Sequence, residues 1–157
     1  MLTSASCVPG DRGWVDFNRH DLTSGLTGDV ERRTWSTKEG VLNDNDGFFI
    51  RHPNFDIETI DNDFALIIWA KPVDNITTVE LNDSSNIPAD GDALETFGWG
   101  SIPGDVSPNV PHTVTLNFLP NNQCNQDSGV IQEITPNMLC TYKNVAGVCL
   151  GDDGMWT

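Results

Sequence analysis

Positive charge is scarce in this chain. Eight Lys and Arg residues stand against 23 Asp and Glu, a formal net charge of −15 over 157 residues. An acidic surface of that size repels phosphate backbones, which excludes nucleic acid as a partner and disfavours anionic membrane faces. Its ordinary consequence is solubility. Long apolar runs are also lacking: none approaches the ~20 residues that a membrane-crossing helix needs. The partner class left is a protein or peptide ligand, and nothing in the sequence sets the oligomeric state.

Metal-ligand patterns are missing too. No Cys/His pair has zinc-site spacing. Asp44, Asp46 and Gly47 hint at a calcium loop, but its first ligand would be Leu42 and its twelfth Pro53, which breaks the EF-hand pattern. We expect neither metal nor cofactor. Histidine is rare, with only His20, His52 and His112.

Helical periodicity is the next absence. Apolar residues recur at period two rather than 3.6, which predicts strands. In Thr113–Leu119, Val114, Leu116 and Phe118 face one side and Thr113, Thr115 and Asn117 the other. The unbroken apolar run Phe64–Trp69 predicts a strand buried on both faces. Residues 30–35, 47–50, 77–81 and 94–98 are further candidates, separated by turn clusters such as Asn43–Gly47 and Ala89–Asp92. Pro120–Gln126 is the best place for a short helix. Short strands at this spacing, in one domain-sized chain with a modest core, predict an all-β sandwich or barrel.

Six short segments then carry chemistry in a fixed order. They are Leu2-Thr3-Ser4-Ala5-Ser6-Cys7, His52-Pro53-Asn54-Phe55-Asp56, Asp61-Asn62-Asp63-Phe64-Ala65-Leu66-Ile67, Phe97-Gly98-Trp99-Gly100, Ile134-Thr135-Pro136-Asn137-Met138-Leu139-Cys140 and Cys149-Leu150-Gly151-Asp152-Asp153-Gly154. In order, spacing and spelling they resemble the signature segments of the chymotrypsin/trypsin-like serine proteases, over residues 2–154. The fold this resemblance implies is a trypsin-like double antiparallel β-barrel, incomplete at both ends. Residues 1–157 would form a single partial domain: 1–82 part of the first barrel, 83–92 the linker and 93–157 part of the second barrel.

The same resemblance implies a damaged active site. Asp63 holds the place of the buried aspartate that orients the catalytic histidine. Ser6 stands at the histidine position and Asp153 at the nucleophilic serine position. A serine hydroxyl is no base near neutral pH, and a carboxylate at 153 opposes the charge that an oxyanion site must bind. Gly151 and Asp152 keep the spelling of the oxyanion loop, Gly147 occupies the specificity-pocket position, and Met155 and Trp156 replace the family's Gly and Pro. None of the three histidines falls in a catalytic segment; His52 belongs to a structural turn.

Four cysteines allow three pairings by arithmetic. The resemblance implies a Cys124–Cys140 bridge and leaves Cys7 and Cys149 without their usual partners in this chain. It also places Asp21, Asp29 and Glu31 where some members hold calcium, although we read them as solvated turn charges. Family members are secreted, so the resemblance implies secretion, and residues preceding Met1, since Met1 runs straight into a motif. Asn75-Ile76-Thr77 and Asn82-Asp83-Ser84 are then glycosylation sequons. The functional expectation is a secreted protease homologue, proteolytically inactive, that binds or regulates. The alternative is a truncated piece of a genuine secreted serine endopeptidase.

Overall fold

Five short strands from the amino-terminal half of the chain share one sheet. In the computed structural model, which describes residues 1–7, 10–26, 28–37, 46–102, 106–126 and 133–142, these are β1 (Leu2–Thr3), β2 (Arg12–Phe17), β3 (Glu31–Ser36), β4 (Asp46–Arg51) and β5 (Ala65–Trp69). Their order is β1-β5-β4-β3-β2. A second sheet, β6-β7-β8, is built from Ala93–Gly98, His112–Leu119 and Cys140–Tyr142. Among the described residues the one helix is α1 (Asn121–Cys124), which follows Pro120 as the turn chemistry predicts. This is the all-β, trypsin-like barrel class that the sequence implies, with each sheet open among the described residues.

The core of the first sheet is Ala5, Trp35, Phe49, Ala65 and Ile67, with Val15, Phe55 and Trp69 packed against it. One row of residues runs across four strands and alternates glycine with tryptophan. Gly13 pairs with Trp35, Trp35 with Gly47, and Gly47 with Trp69. A Cβ at Gly13 would fall 2.6 Å from Cε2 of Trp35, and one at Gly47 would fall 2.6 Å from Nε1 of Trp69. Each indole therefore covers the glycine beside it, which is how a strand interior accommodates a residue with no side chain to pack. The Trp69 indole also donates to the Thr34 carbonyl at 2.8 Å, so the row is tied as well as packed.

Three local expectations change. β3 and β4 pair in parallel, Thr34 to Asp46 through Ser36 to Phe48, whereas the other strand pairs are antiparallel. This pairing sets Trp35 beside Gly47 and brings its ring to 5.1 Å from that of Phe49. Second, β5 is buried on one face only: Ala65 and Ile67 point inward, while Leu66 is 46% and Ile68 54% exposed. Run length cannot separate a two-face strand from a one-face strand whose outer residues are also apolar. Third, residues 77–81 form no strand. Among the described residues they are exposed and pair with no strand, with Val79 84% and Leu81 72% exposed.

Buried Arg33 finds acceptors both on its own strand and in the chain beyond β5. It pairs with Glu31 and donates to the carbonyls of Lys71 and Pro72 at 3.1 and 3.0 Å. A buried guanidinium requires such acceptors, and here they fasten the chain leaving β5 to the face of β3.

Candidate functional site

The site begins with register. β1 runs antiparallel to β5, with Leu2 opposite Leu66 and Thr3 opposite Ala65. Carried three residues further, the same register brings Ser6 level with the residues just ahead of β5. There the Ser6 backbone N–H donates to Oδ1 of Asp63 and the Ser6 hydroxyl to Oδ2, both at 2.7 Å. The resemblance puts the base at position 6 and its orienting carboxylate at position 63, and the fold does bring those positions together. Ser6 is exposed and Asp63 half-buried, so the carboxylate is more open to water than the family pattern implies.

Two turns fix Asp63. Asn62 takes a left-handed conformation at φ 55°, which asparagine tolerates better than most residues, and its side chain donates to the Asn54 carbonyl at 3.2 Å. Asp56 N–H donates to the Asp61 carbonyl at 3.1 Å, and His52 N–H to Phe64 at 2.8 Å. The His52-Pro53-Asn54-Phe55-Asp56 turn and the Asp61-Asn62-Asp63 turn are thereby zipped together. Ile60 also has positive φ, 56°, which a β-branched residue adopts only under constraint. The strain sits three residues from Asp63.

Asp61, to which the sequence motifs give no role, links the first sheet's turn to the segment leading into β8. Its Oδ1 accepts from the Thr135 hydroxyl at 2.6 Å and from the Asn137 side chain at 3.2 Å. Those donors hold the Asp61 carboxyl below the ordinary aspartate range, the Thr135 hydroxyl contributing most. The segment bearing them is fastened to α1, whose Asn121 donates to the carbonyls of Thr135 and Met138 at 2.7 and 2.9 Å. The Cys124–Cys140 disulfide closes the same unit, as the resemblance implies. The available signal was that both segments were polar motifs of known spelling; which of their residues would meet was not written in either alone.

The three histidines do structural work. His52 offers Nδ1 to the Asn54 N–H at 3.3 Å, His20 accepts from the Trp99 indole through its carbonyl at 3.2 Å, and His112 opens β7 opposite Gly98. None hydrogen-bonds to Asp63 among the described residues. Cys7 is half-buried beside Ser6. Asn75 is exposed in a turn at φ 59°, and Asn82 is exposed with its amide donating to the carbonyls of Ser84 and Ile87. Gly147, Cys149, Gly151, Asp152 and Asp153, together with Met155 and Trp156, lie outside the described residues.

A hydroxyl locked onto a carboxylate can brace two strands. It has no ring nitrogen with which to accept a proton from a nucleophile. The trypsin family model matches this chain over residues 1–154. The chain belongs to the trypsin family. Among curated relatives, this trypsin-family chain is 32% identical to a vitellin-degrading protease of Bombyx mori over 98% of its own length and 56% of the relative's. It is 30% identical to Trypsin Blo t 3 of Blomia tropicalis, over 98% and 57%, and 29% identical to Trypsin CFT-1 of Choristoneura fumiferana, over 98% and 59%. It thus spans a little over half the length of these three relatives.

Proposed function

We propose that this trypsin-family chain is a proteolytically inactive homologue, secreted, whose role is to bind or regulate through a protein or peptide partner. The observation that carries this reading is the double engagement of Asp63 by Ser6. In a working triad that carboxylate orients an imidazole and stabilises it once protonated. Here each of its oxygens accepts a hydrogen bond from a residue that cannot take a proton. Asp153 at the nucleophile position supports the reading from the sequence side. Loss of base or nucleophile in an analogous triad costs about 10⁶-fold in turnover. A longer protein containing these residues would carry the same Ser6, so the reading does not depend on length. Retained framework with lost chemistry leaves surface recognition as the function, and the charge of −15 favours a basic partner. Secretion suits the Cys124–Cys140 bridge.

The test is a fluorogenic peptidase assay on the secreted full-length product, paired with sequencing of its transcript and affinity capture of ligands. We expect Ser6 and Asp153 in the transcript, no hydrolysis above buffer and a specific partner. A transcript encoding His and Ser at these positions, or turnover at a trypsin-like rate, would select the endopeptidase reading instead.

A further inference from the structure

The loop that follows β2 lies in the region where the family resemblance places calcium in some members. Its residues do not fit a metal here. Arg19 projects into the loop from just beyond Phe17, its side chain only 15% exposed. Its Nη2 donates to the carbonyls of Leu22 and Ser24 at 2.9 and 2.8 Å, and its Nη1 to Asp16 Oδ2 at 2.6 Å. Two loop carbonyls and a carboxylate thus converge on one guanidinium. These are the hard oxygen donors a calcium ion would take, and they are already bound to a fixed positive charge.

Of the three acids the resemblance places here, Asp21 and Glu31 are engaged elsewhere, and Asp29 is exposed. Asp21 Oδ1 accepts from the backbone and hydroxyl of Thr23 at 2.8 and 2.7 Å, and Glu31 pairs with Arg33. Asp16, 12% exposed, is shared with Arg32, which sits opposite it in the β2–β3 ladder and donates from Nε and Nη2 at 2.6 and 2.8 Å. Among the described residues no three His, Cys, Asp or Glu side chains gather as a metal site.

We propose that Arg19 is a built-in cation that closes this loop in place of a divalent metal, and that it thereby sets the surface on which the two sheets meet. The second half of the proposal rests on where the loop makes its long-range contacts. The Leu22 N–H donates to the Asn109 carbonyl at 2.8 Å, and the His20 carbonyl accepts from the Trp99 indole at 3.2 Å. His20 and Leu22 flank the turn that Arg19 holds, and Trp99 and Asn109 belong to the chain around β6 and β7. A positive charge carried on the chain cannot be chelated, so the junction between sheets is independent of calcium supply.

The experiment compares thermal unfolding of the full chain in EDTA with unfolding in about 1 mM calcium, a concentration at which weak extracellular calcium modules are filled. Terbium serves as a luminescent probe for calcium binding. We expect coincident midpoints and no tryptophan-sensitised terbium emission. Arg19→Met should lower the midpoint by at least ~3 °C, and hydrogen exchange at the Leu22 amide, slowed in the wild type by its bond to Asn109, should accelerate. A calcium-dependent midpoint or sensitised terbium emission in the wild-type protein overturns the proposal without reference to any variant. So does an Arg19→Met protein that unfolds and exchanges as the wild type does.

Discussion

Ser6 occupies both oxygens of the Asp63 carboxylate, its N–H on Oδ1 and its hydroxyl on Oδ2, each at 2.7 Å. These two hydrogen bonds make a brace between the end of β1 and the start of β5. Both partners are reached by solvent, so each hydrogen bond competes with water and its net worth is modest.

Ser6→Ala should therefore cost about 0.5–1 kcal/mol, since the backbone donor remains and only the hydroxyl bond is lost. Urea unfolding measures it. Ser6→His alone should leave peptide hydrolysis at background, because the family resemblance puts Asp153, not a hydroxyl, at the nucleophile position. Turnover from the single variant would mean that some other hydroxyl serves as nucleophile.

Asp61 predicts an acid weakness at the junction of the sheets. Its folded pKa lies below the ordinary value, first because of the Thr135 hydroxyl and then because of Asn137 and the Asn62 N–H. A depressed folded pKa means that the stabilisation is fully present above the unfolded value near ~3.9. It is lost as pH falls through the lower, folded value. Asp16 and Asp21 are shifted the same way, by Arg32 and by Thr23. Unfolding midpoints should thus hold level above pH ~4 and drop below it. Asp61→Asn should be less stable at neutral pH and show a shallower acid limb. An acid limb of unchanged slope would remove Asp61 from the account.

The glycine–tryptophan row gives a packing prediction. Gly47→Ala puts a methyl 2.6 Å from Nε1 of Trp69 and 2.8 Å from Cγ2 of Ile67, inside a sheet with no spare volume there. Overpacking of this kind costs about 1–3 kcal/mol. Gly47→Ala and Gly13→Ala should each lower the melting temperature. Gly10→Ala, where a Cβ meets nothing within 4 Å, serves as the control and should change little. Equal effects at all three positions would mean that the indoles are free to move aside.

The fold class was legible because period-two apolar spacing and turn clusters are local signals. β6, β7 and α1 fall where that spacing puts them. β2 is hidden in the sequence because Trp14 puts an apolar residue on its outer face and Gly13 offers no apolar side chain on the inner one, which blurs the alternation; it is held by its ladder to β3 and by Asp16–Arg32 across it. The pairing of Cys124 with Cys140 and the meeting of positions 6 and 63 were legible only through family spelling. Arg19 and Asp61 were not legible at all. Each acts by meeting backbone or side chains of a separate turn, and no periodicity encodes which charged residue folds inward.

The outer face of β5 yields the last prediction. Leu66 stands opposite Ile50, and Ile68 opposite Phe48. Leu66, Ile68 and Ile50 are all exposed. Beside it lies β1, a two-residue edge strand that shields little of the sheet. Contiguous apolar surface next to an open edge drives self-association in a protein kept apart otherwise by charge. Ile68→Thr keeps a β-branched side chain and removes apolar area, so it should alter stability by no more than about 0.5 kcal/mol. It should also reduce binding of a hydrophobic dye and slow aggregation, most clearly in high salt, where repulsion among the acidic groups is screened. The comparison is light scattering of wild type and variant at matched concentration across a salt series. If the variant aggregates as fast as the wild type while folding equally well, association runs through another surface.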